Sequence, residues 1–190
     1  MSLSIFKKNV VDEEEPQIRI DFSVIMLVNT AFILENLDRI ALLTGGIFTG
    51  TAIYIGYGQY NALVDSGIDQ HWKFFAKMYA HSGKFQVGLA LAAGLASLTR
   101  SLRLTDASAR KFWLKIAMAY LGMIPFTIVF MGSTIKRILG DNRATQSGQY
   151  SQVDNYSRKE LLGKWRRLHL IRTLFAVAGF IAMINASRRH

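Results

Sequence analysis

At 190 residues with 51% hydrophobic side chains, the chain has the size of one domain. It contains no cysteine, which excludes disulfides, zinc-thiolate sites, iron–sulfur clusters and cysteine nucleophiles. A formal charge of +10 would turn attention to nucleic acid in a soluble protein, but the basic residues stand mostly at the ends of apolar runs, which favours anionic lipid headgroups as partners and argues against nucleic acid.

Residues 1–21 read as a polar tail, in which Lys7 and Lys8 are followed by Asp12, Glu13, Glu14, Glu15 and Pro16. The acidic run and the lack of an apolar core behind it fit neither a cleavable signal nor a standard mitochondrial presequence. The uncharged stretch Phe22 to Leu34 is short for a span and suits an interfacial helix, or the first arm of a bent helix entering span one. Glu35, Asp38 and Arg39 then mark the membrane surface. This divides the chain into residues 1–39, tail and interfacial helix, and a four-span membrane domain over 40–190.

The first span is expected at about residues 40–62, within the uncharged run from Ile40 to Val64. The second is expected at about 84–101, the third at about 112–135 and the fourth at about 165–187. About 20 apolar residues, each rising roughly 1.5 Å, cross the hydrocarbon. Between the spans lie a polar-aromatic connection over 65–84, helical from Asp69, a basic connection over 102–111 and a long polar loop over 136–160. Only helices or closed barrels satisfy their backbone in lipid. The expected fold is therefore all-α, an integral membrane four-helix bundle with an extra N-terminal interfacial helix. Gly46 and Gly50 in span one, and Gly88 and Gly94 in span two, are candidate sites of close helix packing. Lys and Arg are balanced between the two sides, so the charge rule selects no orientation.

Two constellations could carry chemistry. Pro125 in span three removes a backbone donor from the carbonyl of Leu121 and should kink the helix. The Thr127 hydroxyl, on a nearby turn, can bond within the kink. In span four, steps of four, three and four put Trp165, His169, Arg172 and Ala176 on one face. A Trp, a His and an Arg at the hydrocarbon edge suit an acidic or quinone-like ring, with His moving protons and Arg holding an anionic oxygen. The plainer readings are a packing kink and an interfacial Trp/Arg anchor. His71, His81 and His169 form no metal-binding spacing, and neither a metal nor a nucleotide cofactor is expected. No acid lies well inside spans two to four, where an ion-coupled transporter usually needs one.

With the spans placed, the chain resembles the anthrone oxygenase-like family of small four-span membrane proteins, over about residues 40–187. The resemblance rests on GGIFTGTAIYIG in span one, on Trp72 and Tyr79, on Pro125-Phe126-Thr127, and on Trp165, His169 and Arg172. It implies a four-helix membrane fold and oxidation of anthrones to anthraquinones by oxygen. It also implies a site at Pro125, Thr127, Trp165, His169 and Arg172. The chain departs from the family at Gln59-Tyr60-Asn61-Ala62, where a proline is usual, and at Gly132-Ser133-Thr134, where the family has Pro-Thr-Asn.

Composition, glycine faces and those departures favour a non-catalytic accessory subunit, held among other membrane subunits of a large complex of the mitochondrial inner membrane such as the respiratory chain or ATP synthase. The alternative is a cofactor-poor oxygenase, with His169 as general base and Arg172 stabilising the resulting anion. A lipid- or quinone-binding membrane protein is the third reading, with Trp165, His169, Arg172, Pro125 and Thr127 as the ligand-binding candidates.

Overall fold

The structure, a computed structural model, describes residues 30–147 and 153–187, with the side chains of 30–31 and 68–72 excepted. The expectations for the tail, for residues 22–29 of the interfacial helix, for the side chains of His71 and Trp72 and for the last three residues lie outside this description. Every regular element among the described residues is helical. A short helix α1 (Thr30–Glu35) is set off from α2 (Leu37–Asp65) by a bend at Asn36, whose side-chain amide donates to the Phe32 carbonyl at 2.9 Å. Helices α3 (Ile68–Arg103), α4 (Ala107–Gln146) and α5 (Asn155–Ser187) follow.

Helices α2 to α5 each contain a stretch long and apolar enough to cross a membrane, and less than half of each such stretch is buried inside the bundle. Leu43, Leu102, Ile128 and Leu174 are each more than three-fifths exposed. Apolar surface facing outward on all four helices calls for hydrocarbon as the solvent. The protein is an integral membrane four-helix protein.

The connections are shorter than the sequence suggested. Residues 65–84 are not a separate connection: α3 begins at Ile68, after Gly67 makes the turn at φ +87°, a region open to glycine. The basic connection 102–111 shrinks to Leu104–Asp106, since the Asp106 carboxylate accepts the Ala109 N–H at 2.6 Å and caps α4. The long loop expected over 136–160 is mostly helix, because α4 runs to Gln146 and α5 starts at Asn155. Buried Ile135, Ile138, Leu161 and Leu162 give these polar stretches an apolar seam. Asp141 and Arg158 pair across it at 2.8 Å, both buried. At the start of α5 the Asp154 carboxylate accepts the Ser157 N–H at 2.7 Å, which holds its pKa below the ordinary carboxylate value.

Two helices carry π-helical turns, Ile55–Gln59 in α2 and Thr127–Met131 in α4. The second begins two residues after Pro125, which lies inside the helix as expected and leaves its ladder short of one donor. The Thr127 hydroxyl donates to the Met123 carbonyl at 2.7 Å.

The interior divides into two cores. One is built from Ala41, Phe48 and Ala52 of α2, Ala90, Ala93 and Ala96 of α3, Trp113, Ile116 and Tyr120 of α4, and Ala176 and Met183 of α5. Its alanines let the helices approach closely. At its centre the Tyr120 hydroxyl lies 3.3 Å from the carbonyl oxygens of Gly45 and Ala176 and from Thr49 Oγ1, joining α2, α4 and α5. A Cβ at Gly45 would come within 2.9 Å of that hydroxyl, and one at Gly179 within 2.9 Å of the Tyr120 ring. The second core joins Ile55 and Leu63, Phe75 and Met78, Met131, Ile135 and Ile138, and Leu161, Leu162 and Trp165.

Of the four glycines singled out for packing, Gly46 lies against Phe180 and Gly94 against Leu121, where a Cβ would meet atoms at 2.9 and 2.5 Å. Gly50 and Gly88 are different. Both are exposed, and a Cβ there would meet nothing within 4 Å, so neither seats a neighbouring helix among the described residues. Glycine spacing alone does not say which way a helix face turns.

Candidate functional site

Between the two cores lies a cavity of about 620 Å³, within the range of small-molecule pockets. Its walls are mostly apolar: Phe48 and Ile55 of α2, Met78 and Val87 of α3, Met123 and Met131 of α4, and Trp165 of α5. Polar and charged side chains also line it: Tyr79, Gln86, Thr127, His169 and Arg172, with Ser82 and Lys84 of α3.

Helix α5, the fourth spanning helix, supplies the centre of this site. Trp165, His169 and Arg172 face one way, as the steps of four and three require. The Trp165 and His169 rings stack with centroids 5.1 Å apart and planes 18° apart, and Phe75 meets the Trp165 ring edge-on at 5.1 Å. Both Trp165 and His169 are buried, at 3% and 1% exposure, which removes the reading of Trp165 as a headgroup anchor. Gly56, in the π-helical turn of α2, leaves room for the imidazole: a Cβ there would stand 3.1 Å from His169 Cδ2.

The hydrogen bonds of His169 assign its tautomer. Nε2 lies 2.9 Å from the Ala52 carbonyl oxygen, which can only accept, so Nε2 carries the hydrogen. Nδ1 lies 3.2 Å from Arg172 Nη2, which can only donate, so Nδ1 presents its lone pair. The imidazole is thus a neutral ring with its basic nitrogen turned to the guanidinium.

Arg172 is the hub. Its Nη2 also donates to Gln86 Oε1, and its Nη1 to Thr127 Oγ1 at 3.4 Å. Gln86 Nε2 in turn donates to Thr51 Oγ1 at 3.5 Å, which fixes the amide with its oxygen toward the cation. The guanidinium carbon stands 5.7 Å from the centroid of the Phe48 ring. No Asp or Glu of the described residues pairs with Arg172, and its buried Nε has no hydrogen-bond partner among them. A cation inside an apolar bundle ordinarily finds a counter-charge. Here neutral oxygens and a neutral ring nitrogen surround it.

Thr127, His169, Trp165 and Arg172, which the sequence singled out, therefore meet in one cavity. Pro125 does not line it; its part is in the backbone of α4, just before the π-helical turn that brings Thr127, Ile128 and Met131 to the wall. Gln86, Phe48 and Ile55 were not singled out. Gln86 carried one signal, being the only side-chain amide within the uncharged stretch Phe85 to Thr99. Among the described residues no three His, Asp or Glu side chains gather as a metal site would require.

A family model described as anthrone oxygenase matches residues 75–182, more than half of the chain. The match runs from α3 to α5 and includes Tyr79, Gln86, Thr127, Trp165, His169 and Arg172. It leaves out α2, which supplies Phe48, Ile55 and the Ala52 carbonyl. Neither a curated protein nor a solved structure matches the chain.

Proposed function

The chain belongs to the anthrone oxygenase family, and on that premise we propose that its cavity binds a fused-ring phenol of the anthrone type and oxidises it with molecular oxygen to the quinone. The observation that carries this reading is Arg172, a buried cation in an apolar cavity with no carboxylate among the described residues to balance it. A site of that kind favours a ligand that becomes an anion once bound. The flat apolar walls, with Trp165 and Phe48 among them, suit the rings of such a ligand.

The chemistry follows from the tautomer. When the carbonyl oxygen of an anthrone takes the place of Nδ1 as a partner of Arg172 Nη2, the His169 lone pair is released. Nδ1 then accepts the proton of the acidic ring C–H, and Arg172 holds the enolate oxygen that forms. The carbanion gives two electrons to oxygen and forms a C–O bond, and His169 returns its proton to the resulting peroxide. Loss of the second hydrogen from that carbon with cleavage of the O–O bond leaves a carbonyl and releases one water. One anthrone and one oxygen thus give one quinone and one water. Both ends of this sequence use groups of the chain itself, and His169 serves as base through Nδ1 alone.

The accessory-subunit reading, with a place in a mitochondrial inner-membrane complex, has no such support: a structural role gives no reason for an uncompensated cation beside an oriented histidine. The test is oxygen uptake and quinone absorbance with purified protein in liposomes and anthrone as substrate. Wild-type protein is expected to exceed the protein-free rate, and Arg172→Met is expected to lose the excess. Equal rates with and without protein, or full activity in Arg172→Met, overturn the assignment.

A further inference from the structure

The exposed part of the cavity lining lies on one side of the described bundle. From α2 and α5, Phe48, Ile55, Trp165 and His169 are buried and Arg172 is half-buried, so none of the lining from these helices is exposed. The exposed lining residues are Ala80, Lys84 and Val87 of α3 and Ile128 of α4. The gap therefore lies between α3 and α4. At one end these helices are locked together by Gly94 against Leu121 and by the Ser101 hydroxyl on the Arg110 carbonyl at 2.9 Å. Toward the cavity α4 passes Pro125 and enters its π-helical turn, while α3 presents the small residues Ser82 and Gly83. The exposed lining side chains Ala80 and Val87 on α3 and Ile128 on α4 are apolar and lie within the two spanning segments.

We infer that this gap is a lateral portal through which the substrate enters from the lipid, and that Gly83 sets its width. The inference rests on the proposed function for the identity of the substrate, and it adds the route and the class: a ring system dissolved in the bilayer rather than one captured from water. A solute partitioned into hydrocarbon is concentrated where the gap lies, and the apolar rim lets it cross without regaining a hydration shell. Lys84 stands at the edge, where its long stem can reach toward headgroups while the rim stays apolar. Gly83 is the suitable place for a gate because a Cβ there would touch only the Tyr79 ring, at 3.9 Å, so a side chain can enter the opening without moving a helix.

Two readouts in liposomes test this. The chain has no cysteine, so a bimane label on Gly83→Cys reports from one place. Nitroxide-bearing lipid is expected to quench it strongly and aqueous iodide weakly; the reverse order overturns the portal, whether or not the protein turns over anthrone. Separately, Gly83→Phe is expected to lower kcat/KM for membrane-dissolved anthrone by about tenfold, while Gly88→Phe, on an exposed face away from the cavity, keeps the wild-type value. Wild-type kinetics in Gly83→Phe overturn the portal. No turnover by the wild-type protein overturns the proposed function, and the quenching order still decides the portal.

Discussion

His169 and Arg172 hold each other in a fixed relation: Nδ1 of the imidazole accepts from Nη2 of the guanidinium at 3.2 Å, while Nε2 is spent on the Ala52 carbonyl at 2.9 Å. The ring cannot flip without losing both bonds, so Nε2 is held by the backbone and Nδ1 is the nitrogen that the proposed chemistry uses. His169→Gln is expected to keep the helical content of the bundle and to lower kcat by about 10²–10⁴-fold, the usual contribution of a positioned base. Steady-state oxygen uptake beside circular dichroism checks it.

Gln86 acts through Arg172. Its amide oxygen holds Nη2 while its nitrogen is anchored on Thr51. Gln86→Leu keeps the volume but leaves the cation one acceptor short, and a hydrogen bond to a charged group is worth about 1.5–3 kcal/mol. The expected result is a loss of kcat/KM of about tenfold or more with the fold retained, and Gln86→Glu, which supplies a counter-charge, is expected to neutralise the site and lose activity further. Kinetics of the two variants side by side check it.

The node around Tyr120 is a matter of stability rather than chemistry. Tyr120→Phe removes a hydroxyl shared by Thr49 and the carbonyls of Gly45 and Ala176, a loss of about 0.6–1.7 kcal/mol for a polar contact between membrane helices. Gly179→Val is expected to destabilise more, because its first added carbon already stands 2.9 Å from the aromatic ring and both are enclosed. Thermal unfolding in mild detergent should rank wild type, Tyr120→Phe and Gly179→Val in that order.

The Asp141–Arg158 pair closes the end of the bundle beside the α4–α5 connection, with Arg158 also donating to Thr145 Oγ1 at 3.3 Å. Removing one partner leaves a buried charge behind. Asp141→Leu or Arg158→Met alone is expected to cost about 3–5 kcal/mol, and the double variant to recover most of it. Unfolding measurements on the three variants form the cycle that checks this.

Uncharged runs made the four spans legible, because hydrocarbon admits little else. The face shared by Trp165, His169 and Arg172 was equally plain, since it follows from helical spacing within one segment. Gln86 was harder to find: its partners Arg172 and Thr51 lie on other helices, and spacing within α3 says nothing of them. The stretch 136–160 reads as a loop because its Gly, Asn, Ser and Gln content promises little core of its own. An ion pair from Asp141 to Arg158, seventeen residues on, together with Ile135 and Ile138, overrides that expectation. The π-helical turns were hidden for a related reason: one added residue per turn shifts the register, so a wheel drawn on an ideal helix turns the wrong faces inward beyond Gln59 and Met131.

Beside the cavity, Leu63, Phe75, Ile138, Leu161 and Leu162 pack as one buried apolar cluster. On the proposed function and its lipid-side portal, the protein works on a two-dimensional solution. Its rate follows the mole fraction of reactant in the bilayer, so empty vesicles that share out the reactant slow turnover although nothing in the surrounding buffer has changed.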